Sequence, residues 1–209
     1  MCSSASASAR SSSTISTFII APINTRCNDN ATFLDSIIIY QSMSGDVGTG
    51  TSAFTMTGGS LTSKSGHVFH VINTHAVITL SGVAITNEDA GGVLLSVCDD
   101  GWNGGNNHAE LAASAQTLEG AVLVGDNAML TMTLTDGTAF TGCITGDIQN
   151  SQGVTVSTQA GEVSVSLDGA SIWTLTADSF ITAFSGSTER VVANGFTLYV
   201  NGVALTGTR

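Results

Sequence analysis

Four stretches of this chain repeat one pattern: TMTGGSLT at 55–62, TLSGVAIT at 79–86, LTDGTAFT at 134–141 and SLDGASIWT at 166–174. Each runs from an apolar position through a turn containing glycine into another short β-prone segment. A weaker copy, ASAQTLEG at 113–120, has lost the glycine at its turn. The apolar residues after the turns are Leu61, Ile85, Leu118, Phe140 and Ile172, so successive intervals are 24, 33, 22 and 32 residues. A strand this short cannot bury its apolar face alone. Stacking equivalent strands about 4.8 Å apart closes the backbone ladder and continues one narrow core along an axis. The cassettes therefore predict an all-β fold, a parallel β-helix whose irregular coils span about 22–33 residues. Parallel crossovers prefer the right hand. An antiparallel sandwich or barrel is the rival, because many short, evenly spaced strands fit it too.

Local composition agrees. FTMTG and VITLSG alternate apolar and polar residues, and Gly58, Gly82, Gly137 and Gly169 are expected at corners where a side chain would crowd the bend. Thr contributes 28 residues and Ser 26, against 10% charged residues. Threonine suits a strand and its hydroxyl gives a wet outer face without charge, so like charges need not stack. Strands are expected near 15–21, 33–40, 52–57, 67–72, 76–80, 92–97, 109–113, 120–124, 128–134, 154–158, 162–168, 171–176, 180–184, 190–194 and 196–200. Residues 1–13 read as a low-complexity flexible tail, and 14–209 as a single β-helix domain.

The formal charge of −11 leaves five basic residues with which to neutralise phosphates, which excludes nucleic acid as an expected partner. Cys2, Cys27, Cys98 and Cys143 are widely spaced without a CxxC pair, so their number permits disulfides while nothing fixes a zinc site. The N-terminus lacks a basic segment followed by an apolar one, and Ile15–Ile23 is about half a membrane span. Neither a visible signal peptide nor a membrane span is therefore expected.

The candidate chemistry concentrates in CDDGWNGGNNH, residues 98–108. On a β-helix an insertion between coils points outward. Trp102 there can stack on a sugar ring while Asn103, Asn106, Asn107 and His108 bond its hydroxyls. The same residue types also make ordinary turns. Asp99 and Asp100, with Glu88 or Asp89 about one coil earlier, are the candidate catalytic carboxylates, since glycoside hydrolysis needs an acid and a second carboxylate. Adjacent strand residues point oppositely, so Asp99 and Asp100 cooperate only if the loop turns between them. Calcium at Asp99, Asp100 and Asn103, or at Asp46, matches no known loop pattern. His67, His70 and His75 lie outside any HExxH motif, and in a regular strand His67 and His70 face opposite ways. No metal ligands and no cofactor are expected. Trp173, Phe180, Phe184, Phe196 and Tyr199 are expected to fill the terminal coils, and Met43, Met56, Met129 and Met132 to pack.

Read together, residues 37–86, 98–120 and 171–184 resemble a family of repetitive, uncharacterised bacterial proteins with pectin-lyase-like right-handed β-helix architecture. The resemblance covers roughly residues 33–200. It implies a surface or secreted, adhesin-like module that contacts a polysaccharide or cell-surface glycan without catalysis. A glycoside hydrolase using the loop carboxylates and a structural spacer are the alternatives. Relative to that family little sequence is left for an initial cap, so a homo-oligomeric contact is expected to cover that end.

Overall fold

A computed structural model describes residues 17–20, 33–40, 50–99 and 107–209. The tail at 1–13, the turn at 26–32, and Cys2, Cys27, Met43, Asp46, Asp100, Trp102, Asn103 and Asn106 lie outside the described residues. Each coil carries three short strands. The first holds β1 (Thr17–Ile20), β2 (Asp35–Tyr40) and β3 (Thr51–Thr57); the second β4 (Ser60–Ser63), β5 (His67–Ile72) and β6 (Thr74–Ser81). The third holds β7 (Ala84–Asn87), β8 (Val93–Val97) and β9 (Asn107–Ser114); the fourth β10 (Thr117–Glu119), β11 (Ala121–Val124) and β12 (Ala128–Thr135). The fifth holds β13 (Ala139–Thr141) and β14 (Ile144–Thr145), then a hairpin of β15 (Asp147–Gln149) and β16 (Thr155–Thr158), then β17 (Glu162–Leu167). The sixth holds β18 (Ile172–Thr174), β19 (Ser179–Ile181) and β20 (Ala183–Ser185), followed by β21 (Val191–Val192), β22 (Leu198–Val200) and β23 (Val203–Ala204).

Equivalent strands of successive coils pair in parallel, which makes the protein a right-handed parallel β-helix. One face runs β1-β4-β7 and then β10-β13-β18-β21; the second runs β14-β11-β8-β5-β2; the third runs β20-β17-β12-β9-β6-β3 without a break. Among the described residues the antiparallel pairs are β15–β16 and β22–β23. The core is a set of vertical columns. On the third face Ala76, Ala109, Leu130 and Val163 stand in register, beside Ile78, Leu111, Met132 and Val165, and Leu80, Ala113, Leu134 and Leu167. All of these are buried, because period-2 alternation sends every second residue of a strand inward.

The cassette alignment slips by one residue at its last copy. Trp173, not Ile172, stacks on Phe140, their ring centroids 5.6 Å apart, and Ile172 pairs with Ala139. Trp173 is fully buried and its Nε1–H donates to Gly142 O at 3.0 Å. The extra residue is absorbed by the turn after β17, where Asp168 Oδ1 accepts from the Ala170 and Ser171 amides.

The corner glycines are also needed for a different reason than crowding. The residue that follows each strand of the third face is left-handed at Gly58 (φ 65°), Gly82 (φ 60°), Ala115 (φ 50°) and Asp136 (φ 56°), and a Cβ at Gly58 or Gly82 would meet nothing within 4 Å. Backbone conformation rather than space favours glycine there, and because the corner is open, Ala115 and Asp136 can hold it on later coils at the cost of a left-handed backbone. True crowding falls at the other corner of the first face, where a Cβ on Gly142 would collide with Gly120 O and come within 2.6 Å of the Phe140 ring.

Where long insertions enter, a side chain replaces the backbone ladder. Between β7 and β10 the Gln116 amide accepts from Val83 N–H and donates to Val83 O, both at 2.6 Å. Between β14 and β19 the Ser179 hydroxyl accepts from Ile144 N–H at 3.1 Å. Three expected packing residues are instead exposed: Met129, Phe180 and Phe196. Phe180 stacks on Tyr199 outside the terminal coils, with ring centroids 5.1 Å apart.

Candidate functional site

Outward positions of the third face form columns as regular as those of the core. Thr79, Ala112, Thr133 and Ser166 stand in one, and Val77, Glu110, Thr131 and Ser164 in the next. The third column, nearest the starts of the strands, reads Thr51, His75, His108, Met129 and Glu162. His75 and His108 are direct partners on β6 and β9, and their rings stack 4.1 Å apart at 5°. Glu110 lies two residues beyond His108 and so on the same face, and its Oε1 is 2.7 Å from His75 Nε2. One ligand-capable atom from each of His75, His108 and Glu110 falls within 4.8 Å of the others. Partial burial lowers the His108 pKa below the ordinary histidine value; His75 adds to the lowering, while the negative fields of Glu110 and Glu162 oppose it.

The insertion that the sequence singles out, residues 98–106, leads directly into β9. Asn107 is buried and its Oδ1 accepts from the Asn73 amide at 2.9 Å, which ties the end of the insertion to the preceding coil. Asn107 is thereby a structural anchor, whereas His108, the next residue, is on the open face. Asp99 follows β8 and Glu88 precedes it, so the two residues flank that strand in sequence. Glu88 is also held at 2.6 Å by Lys64 on the preceding coil. Asp89 is consumed in a turn, accepting from Gly66 N–H and Gly91 N–H at 2.7 Å each.

A second histidine pair sits on the outer side of the second face. Consecutive Val68 and Phe69 are both in the core, so β5 is not a regular strand, and His67 and His70 emerge together. Each Nδ1 is 2.7 Å from the Ser96 hydroxyl. A hydroxyl has one proton, so at most one ring accepts from it and at least one donates to it. Phe33 lies over both rings, at centroid distances of 5.4 and 5.0 Å. Burial pushes His67 down to about 4, against the field of Asp89, and His70 down to about 3, with His67 adding to the effect.

The His75–His108–Glu110 cluster was legible only through the repeat. His75 and His108 are 33 residues apart, the same interval as Ile85 to Leu118, so the coil length measured from the cassettes also overlays the two histidines. Linear motifs, which look for ligands within a few residues, miss it.

The fold and this face define a parallel β-helix protein with one open, hydroxyl-rich side. In comparisons with known proteins the chain matches no family model, no curated protein and no solved structure. No helix among the described residues is long and apolar enough to cross a membrane.

Proposed function

We propose that the protein is a non-enzymatic surface or secreted β-helix module that contacts carbohydrate along its third face. The observation that carries this reading is the outward side of the third face, where Thr79, Thr131, Thr133, Ser164 and Ser166 share two columns with Val77, Glu110 and Ala112, beside His108 where the tryptophan- and amide-bearing insertion rejoins the helix. A rigid ladder offers hydroxyls at one repeat spacing along its length, and shape with many modest contacts holds a glycan chain. A depression on this face, lined in part by Thr131, Ser164, Ser166 and Ser185, encloses about 130 Å³. Substrate cavities are larger, about 300–1,000 Å³. The preferred glycan is neutral, because the chain carries −11 and its one lysine is paired with Glu88. The pectin-lyase-like and adhesin-like resemblance belongs to this reading, as does the assignment of Trp102, Asn103, Asn106 and His108 to the ligand, with Asn107 anchoring the insertion.

Binding to a panel of immobilised neutral and acidic polysaccharides, with product analysis on the same panel, tests it. The expected result is retention on a neutral glycan, no released product, and loss of retention in Trp102→Ala and Ser164→Arg. Product release abolished by Asp99→Asn or Asp100→Asn would establish the hydrolase instead. Neither binding nor turnover would leave a spacer.

A further inference from the structure

We propose that His75, His108 and Glu110 form a binding site for a divalent transition metal, with zinc the ion their donor set fits best. The inference is independent of the glycan reading, which requires no metal. Two imidazole nitrogens and one carboxylate oxygen are donors that zinc accepts readily, and zinc has no electronic preference that would reject an irregular geometry.

The scaffold supplies the juxtaposition. Parallel pairing of β6 with β9 fixes the two histidine backbones side by side, and the stacked rings, 4.1 Å apart, keep both nitrogens on the solvent side of the sheet. Glu110 reaches back across the strand pair to His75 at 2.7 Å, so a carboxylate oxygen is already beside one imidazole. Tetrahedral ligands at zinc–nitrogen and zinc–oxygen distances of 2.0–2.2 Å stand about 3.3 Å apart. Drawing in donor atoms that now lie within 4.8 Å of one another takes side-chain rotation alone, because all three side chains are part-exposed and none is wedged in the core. No lysine or arginine occurs among their register partners: Thr51 and Met129 flank the histidines, Val77 and Thr131 flank Glu110, and Glu162 adds negative charge one strand further on. Three protein ligands leave the fourth position to water or to an oxygen of a bound molecule, as in open zinc sites.

Calorimetric titration of the tag-free full chain with zinc alone, at neutral pH, tests the site, with cobalt(II) absorption reporting the ligand geometry. The expected result is one ion per chain and visible bands from low-symmetry nitrogen and oxygen ligation. His108→Ala and Glu110→Gln should each weaken binding by about tenfold or more, while Glu189→Gln, on the exposed turn after β20, binds as the parent does. Glu110→Gln removes an exposed carboxylate and keeps its shape, so it decides the matter if the histidine variants do not fold. Absence of saturable binding, or affinity unchanged in Glu110→Gln, would overturn the site.

Discussion

Two histidine pairs occupy neighbouring faces of this β-helix, and they have opposite surroundings. His67 and His70 share one serine hydroxyl under Phe33, on a face whose outer side also carries Cys98 and Ile148 in a small buried cluster. His75 and His108 stand part-exposed on the third face, stacked on each other with Glu110 beside them. The residue type is the same, and so is the repeat that generates it. What differs is the cover: the hairpin β15–β16 brings Ile148 and Val156 onto the second face, and among the described residues no insertion crosses the third. A parallel β-helix closes its own core, so the outer side of each face is structural or chemically available according to what the insertions do.

Placing a charge on each face should separate them most sharply. Ile148→Asp puts an unpaired carboxylate into the cover of the second face and should cost about 4 kcal/mol or more, whereas Met129→Asp on the third face should stay within about 0.5 kcal/mol. Urea unfolding of both variants measures the gap, and equal costs would erase the distinction.

Acid should attack the covered pair next. Both folded-state pKa values lie below the unfolded 6.5, so the unfolded chain binds more protons and the contribution of the pair is complete only above that value. It declines as pH falls from about 6.5 towards 4 and 3. At those values the loss between pH 7 and pH 4 is about 3 kcal/mol for each ring. His70→Leu should flatten this slope in a pH series of denaturation curves; an unchanged slope would take the acid sensitivity away from this pair. Ser96→Ala, which takes the shared partner from both rings, should cost about 1–3 kcal/mol by the same assay. Smallest of all, Glu110→Gln on the open face should shift stability by less than about 1 kcal/mol, as an exposed pair does. A larger loss would make the open cluster a structural latch.

The longer strands of the second and third faces were legible in the sequence, as apolar runs at 67–72 and 92–97 and as apolar–polar alternation at 76–80 and 128–134, all within or beside observed strands. Four strands of the first face, Ser60–Ser63, Ala84–Asn87, Thr117–Glu119 and Ala139–Thr141, show only as short β-prone segments of the cassettes, since they are too short to show a period and sit beside glycine. Aligning Gly137 with Gly169 displaced Trp173 by one residue, because Asp136 holds the left-handed corner on one coil and the Asp168 turn takes up an extra residue on the next. Of the candidate site, His108 and the insertion before it stood out by composition. In sequence His75 groups with His67 and His70, because only the register of neighbouring coils brings it to His108.

That register is the claim everything else depends on, and proton–proton distances measure it directly. With the four histidine rings resolved by NMR, nuclear Overhauser cross-peaks should join the ring protons of His75 to those of His108, residues 33 positions apart in sequence. Cross-peaks that link either ring only to its sequence neighbours, or to residues outside β3, β6, β9 and β12, would contradict the stacking of these coils.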